Sequence, residues 1–184
     1  TLMGTSKPTV GRADVSEKPS PLFLVTLATI GTALFSPLTL EGIPMVVLII
    51  PFALLATLLH NAEKGMTVGI GTSIACGIFI QAFDIWSVVG YALASTIAVL
   101  AYESIYPTKK DELNALIFLA LGTLLVELFI ELARGDAIFF RSEYFLGTTP
   151  RVGVQLVLNA IVLWIGISTW NPFTSTKKIN SHSI

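Results

Sequence analysis

The stretch Leu113–Ala133, LNALIFLALGTLLVELFIELA, decides the fold. It is apolar on nearly every side, and its length matches the ~20 residues that a helix rising about 1.5 Å per residue needs to cross roughly 30 Å of hydrocarbon. Working outward, five further stretches have the same character: Leu22–Leu40, Gly42–Ala62, Gly65–Phe83, Ile85–Tyr102 and Val152–Trp170. Only the Leu113–Ala133 stretch contains ionised side chains, Glu127 and Glu131. A soluble helical bundle would need an amphipathic face on each helix, and these segments lack one. The expectation is an all-α, polytopic membrane protein with six transmembrane helices and the lipid bilayer as its solvent.

Composition agrees. Of the 184 residues 53% are hydrophobic and 12% charged, with mean hydropathy +0.78, whereas soluble domains carry about 25% charged residues. The net charge of −1 offers none of the basic footprint that nucleic-acid binding requires, so no nucleic-acid partner is expected. Cys76 is the sole cysteine, which excludes an internal disulfide. The six stretches leave Lys7, Arg12, Lys18, Lys64, Lys109, Lys110, Lys177 and Lys178 on one side of the membrane and Arg134, Arg141 and Arg151 on the other. That asymmetry predicts both termini in the cytoplasm, in a bacterial or archaeal cell membrane. Residues 1–20 and 171–184 are polar, and the first group carries Pro8 and Pro19. They read as cytoplasmic tails flanking a membrane domain at 21–170, the first disordered unless a partner holds it.

Within the apolar segments the exceptions carry the information. Gly65, Gly69, Thr72, Ser73, Ala75, Cys76 and Gly77 make the third stretch small on several faces, so it is expected to sit centrally among close neighbours. Pro51, midway along the second, predicts a kink near Val47–Pro51. Gln81 and Asp84 end the third stretch, Glu127 and Glu131 lie near the end of the fifth, and Gln155 and Asn159 near the start of the sixth. Alternation of direction brings all three ends to the outer leaflet. Glu127 and Glu131 share a helical face, as do Gln155 and Asn159. Ionisable groups at membrane depth face the bundle interior or a watery cavity, so these six residues are the candidate ligand contacts of an outward-facing pocket. The alternative is polar bonding between helices plus interfacial charge. The segment Gly135–Pro150, with Phe139, Phe140, Tyr144 and Phe145, reads either as an aromatic lid over that pocket or as a stretch lying in the interface.

Other chemistry is scarce. No Cys/His cluster suits a metal, His60 is the only histidine outside the tails, which excludes bis-histidine haem, and GIGTSIACG lies in a span rather than at a phosphate-binding turn. No cofactor is expected. Without a Ser, His or metal beside the carboxylates, neither is an enzyme.

The run IPMVVLIIPFALLATLLHNAEKGMTVGIGTSIACGIFIQ from Ile43 to Gln81 resembles the second and third helices of the substrate-binding S components of energy-coupling-factor vitamin importers. Continued by DIWSVVGYALASTIAVLAY, LLVELFIEL and VQLVLNAIVLWI, it also resembles MreD, a six-span protein of bacterial cell-wall elongation. The first resemblance implies the membrane subunit of a transporter that recognises a small solute and docks to other membrane subunits. The second implies a scaffold or accessory subunit of a larger complex with no ligand of its own. The chain departs from S components at Ala28, which is followed by Thr32 rather than a second alanine, and from MreD in its long polar amino-terminal tail.

Overall fold

A computed structural model describes residues 18–40, 43–44, 46–106, 112–134 and 142–170; within the last two ranges the side chains of residues 112, 131, 133, 134, 142–149 and 151 are not described, nor are those of 39, 40, 43 and 44. Of the tails expected at 1–20 and 171–184, residues 1–17 and 171–184 lie outside the described residues, as do the lid residues Phe139 and Phe140.

Helix starts follow local chemistry. Ser20 caps α1 (Pro21–Phe35) by accepting the Phe23 N–H, and Pro21 stands at the first helical position, where a missing N–H is harmless. Asn61 caps α3 (Ala62–Phe79) through the Lys64 N–H. Asp84 caps α4 (Ile85–Ile105), its Oδ1 accepting from the Ser87 amide at 2.8 Å and the Ser87 hydroxyl at 2.6 Å. Helix α5 spans Glu112–Arg134. Helix α6 runs from Ser142 to Trp170 with Pro150 inside it, so much of the lid segment is a helical extension of the last stretch.

The second apolar stretch departs most from expectation. It opens with β1 (Thr39–Leu40) pairing antiparallel with β2 (Ile43–Pro44), continues without regular structure through Val46–Leu48, and becomes helix α2 only over Ile49–Leu59. Pro51 therefore stands in the first turn of a helix, not at a kink in the middle of one. In that turn no intrahelical acceptor waits for its absent N–H. At 11 residues α2 is about 16 Å long, roughly half a bilayer. Every residue of it is buried, and it packs against α1, α3, α4, α5 and α6. The central helix is thus α2, not α3, which packs on α1, α2 and α4.

Among the described residues three helices are long and apolar enough to cross a membrane: α4, α5 over Leu113–Ile130 and α6 over Val152–Trp170. Helices α1 and α2 are apolar but shorter. Helix α3, 18 residues long, is diluted by Glu63, Lys64 and its glycines and is not among the three. The distribution of side chains is inverted relative to a water-soluble bundle. Ile70, Ile74 and Ile78 on α3, Trp86, Val89, Leu93, Ile97 and Leu100 on α4, and Val157, Ile161, Trp164 and Ile165 on α6 form exposed apolar stripes. Thr57, Thr72, Ser73, Ser95, Thr123, Glu127, Gln155 and Asn159 are inside.

Close approaches between backbones set the packing. A Cβ at Gly65 would overlap the Thr57 side chain and lie 2.8 Å from the Ala53 carbonyl, and one at Gly69 would come within 2.5 Å of the Ser95 hydroxyl. Helices α2, α3 and α4 are thereby drawn together at those glycines. At the opposite edge of α2, Lys18 Nζ donates to the Leu59 carbonyl at 2.8 Å, and His60 Nε2 lies 2.9 Å from the Pro19 carbonyl. Three residues of the amino-terminal stretch, Lys18–Ser20, are therefore fastened to the bundle. They also show that α1 and α2 run antiparallel.

Gly65→Ala should lower the thermal midpoint of the purified chain by well over the few degrees that about 1 kcal/mol represents, because neither Thr57 nor the Ala53 carbonyl can withdraw. Gly71→Ala, whose Cβ would meet Val25 at an ordinary 3.4 Å, should be neutral or gain up to about 1 kcal/mol of helix propensity. Unfolding in mild detergent, followed by circular dichroism, compares them.

Candidate functional site

Buried stripes of α5 and α6 build the site. On α6 the inward face is Gln155, Asn159, Leu163 and Ile167, one residue per turn, with Gly166 beside it. Gly166 lies against Leu55 of α2, where an added Cβ would meet the leucine Cδ2 at 2.6 Å. Gln155 Nε2 donates to the Tyr91 hydroxyl of α4 at 3.2 Å. The stripe therefore bridges α4 and α2, and Asn159 lies between the two anchor points. On α5, Gly122 lies against Ile50, in the first turn of α2, and against Ala98 of α4. Glu127 is five residues further along, about 7 Å toward the carboxyl-terminal end of α5. Ile130, one turn beyond Glu127, sits across from Gly90, the neighbour of Tyr91. Tyr91, Glu127 and Gln155 thus lie one to two helical turns beyond the first turn of α2, and Asn159 lies one turn closer to it than Gln155. The residue preceding α2, Leu48, gives that helix no side-chain cap.

A helix N-terminus carries partial positive charge and unsatisfied N–H groups. Here it points into the bundle, beneath a carboxyl, two carboxamides and a phenol. Glu127 is 8% exposed and engaged with a neighbour rather than isolated, as a buried carboxyl must be. Gln155 is 1% exposed. Asn159 is wholly buried, and among the described residues neither its Oδ1 nor its Nδ2 has a hydrogen-bond partner. The other buried polar groups divide sharply from it. The hydroxyls of Thr57, Ser73 and Thr123 each donate to the carbonyl four residues back on their own helix, at 2.8–2.9 Å, and Ser95 donates to Ala92. They are satisfied locally and ask for nothing. Thr72, on α3, is the one described hydroxyl among the buried unpartnered atoms.

Of the six residues expected to meet a ligand, Glu127, Gln155 and Asn159 are buried in the interior. Gln81 and Asp84 lie exposed in the α3–α4 turn, Asp84 occupied in capping α4. The side chain of Glu131 lies outside the described residues, as do those of Tyr144 and Phe145. Tyr91 was not anticipated. The available signal was a tyrosine inside an apolar span, since a buried phenol normally has a hydrogen-bond partner; Phe83 packs beside it with ring centroids 5.5 Å apart. Among the described residues no group of three His, Cys, Asp or Glu is placed to hold a metal.

The chain matches no family model, no curated protein and no solved structure.

A double-mutant cycle on Tyr91→Phe and Gln155→Leu should give a coupling energy of about 0.6–1.5 kcal/mol, the range for hydrogen bonds between helices in membranes. Reversible unfolding of the four proteins in mixed micelles measures it, and additivity would separate the two side chains.

Proposed function

We propose that this chain is a multi-pass membrane subunit, with six crossings and both termini in the cytoplasm, that recognises a small polar solute at the outer end of its half-helix α2. It is not an enzyme in this reading; it binds, and movement of the solute depends on partner subunits. The observation that carries the proposal is the convergence of Glu127, Gln155, Asn159 and Tyr91 above an uncapped helix start, with an amide whose donor and acceptor are both unspent. Broken helices whose ends face polar groups near mid-membrane are how many transporters build binding sites. Gln81 and Asp84, exposed at the same end, are suited to the entrance. A scaffold role accounts for the locally satisfied hydroxyls and the glycine contacts but leaves the open amide of Asn159 without a purpose.

The inverted side-chain distribution supports residence in lipid, and the antiparallel packing of successive helices supports six crossings, with the short α1 and α2 completed by the non-helical segments next to them. Docking to a partner through α1, as the S-component resemblance implies, would have to use Leu22, Leu27, Ile30 and Leu34, because Leu24, Ala28 and Thr32 face inward.

Two experiments test this reading. With Cys76 replaced by serine, Asn61→Cys and Gln81→Cys should react with an impermeant maleimide from opposite sides of sealed vesicles, Asn61 from the cytoplasmic side; labelling from the same side refutes the topology. Glu127→Gln should abolish stabilisation by whatever solute raises the thermal midpoint of the parent protein, while leaving assembly with copurifying subunits intact. Unchanged solute binding in that variant would remove Glu127 from the site.

A further inference from the structure

Asn159 specifies more than the presence of a ligand. A carboxamide offers a donor and an acceptor about 2.3 Å apart on one planar edge, and both are unpartnered at zero exposure among the described residues. Burying such a group without partners costs of order 1–3 kcal/mol per unmade bond, and native interiors leave few of them. Serine or threonine hydroxyls in this bundle bond to their own helices, but asparagine at 159 cannot be replaced in function by them, because its two unspent groups point the same way. Its neighbours on the stripe fix where it faces. Gln155, one turn outward, reaches Tyr91 on α4, and Gly166, two turns inward, touches Leu55 on α2. Asn159 therefore lies on α6 between the contacts that this helix makes with α4 and with α2.

We infer that the solute carries a cyclic amide edge, a lactam or ureide whose adjacent C=O and N–H pair with Nδ2 and Oδ1 of Asn159. This deepens the solute-binding reading and rests on it. A paired edge satisfies both groups at once, whereas an anion satisfies only the donor and an ammonium only the acceptor. The planar ring that bears such an edge is apolar on its faces, and Leu163 on the same stripe and Leu48 and Ile49 at the start of α2 are buried apolar side chains. Discrimination follows from the same chemistry. Methylating the ring nitrogen removes the donor and leaves Oδ1 buried and unmet, and sites built on such a bond reject analogues that lack it.

The test uses the full chain in lipid nanodiscs. Thermal unfolding is followed with uracil, 2-imidazolidinone and δ-valerolactam, with their fully N-methylated counterparts, in which no ring N–H remains, and with acetate, ethylammonium and glycerol as solutes lacking the edge. The expected result is stabilisation by at least one amide-edged probe, loss of at least tenfold in affinity on N-methylation, and loss of binding in Asn159→Leu and Asn159→Asp. Asn159→Leu removes the unmet groups at similar volume, so it should fold and melt at or above the parent temperature. Stabilisation by an edgeless solute through Glu127 and Gln155, with no response to amide-edged probes, overturns this inference and leaves solute binding standing. Amide-probe binding that survives Asn159→Leu, as when water alone satisfies the asparagine, overturns it too. A chain that responds to no solute of any class overturns both.

Discussion

The structure depends on hiding the start of α2. Over Val46–Leu48 the backbone is not helical, so it lacks most of the intrahelical partners that make a bare helix tolerable in an apolar medium. Such backbone survives at membrane depth only when protein encloses it. The rest of the bundle is arranged to do that. The Thr32 hydroxyl accepts from the Leu48 N–H at 3.1 Å, Val46, Val47 and Leu48 are buried, and all five other helices wrap α2. In oil this enclosure gains little from the hydrophobic effect, since lipid tails are as apolar as leucine; it rests on close van der Waals contact. That is the physical reason for glycine at 65, 69, 122 and 166, each placed where a side chain would strike α2 or its neighbours.

Enclosing a helix start has an electrostatic consequence. The first turn of α2 contributes partial positive charge in a medium that screens it poorly. A carboxyl one and a half turns outward on α5, at Glu127, is the complementary arrangement, and it stands on the inward face because the alternative is a charge in lipid. The phenol of Tyr91 and the amides of Gln155 and, one turn further along α6, Asn159 extend this polar set. The hydroxyls of Thr57, Ser73 and Thr123 are instead bonded to their own helices.

Legibility in the sequence followed the strength of the local signal. The boundaries of α4 and α5 and the end of α6 were visible because long runs without charge admit one reading, whereas α6 starts ten residues before the expected Val152; the inward faces followed from Glu127 on α5 and from Gln155 with Asn159, four apart, on α6. The break before α2 was not visible. Residues 46–59 are apolar but for Thr57, so periodicity cannot separate a fully buried half-helix plus extended segment from one continuous span. Pro51 pointed to the right place and supported two outcomes, a kink or a first turn, which only the surrounding packing distinguishes. The importance assigned to the glycines of α3 was correct as contact and wrong as position, because small residues mark the helix that approaches, not the one that is surrounded. Asp84 looked like a ligand group and instead caps α4, a role that any aspartate preceding an apolar run can take.

Gln155 and Asn159 show why identical chemistry at one helical spacing need not mean one role. Both carry the same carboxamide, and both are buried on the same stripe of α6. Gln155 reaches a phenol on α4 and thereby ties two helices, an interaction that fixes α6 against α4 whether or not anything else is present. Asn159, a methylene shorter and one turn deeper, reaches no described partner. If the amides served only to lock helices, selection for stability would favour leucine at 159, since an apolar side chain of that volume removes two unmet bonds without opening a cavity. Holding an asparagine there makes physical sense when something besides this chain supplies the bonds. The longer side chain ties α6 to α4, and the shorter one keeps its donor and acceptor unspent among the described residues.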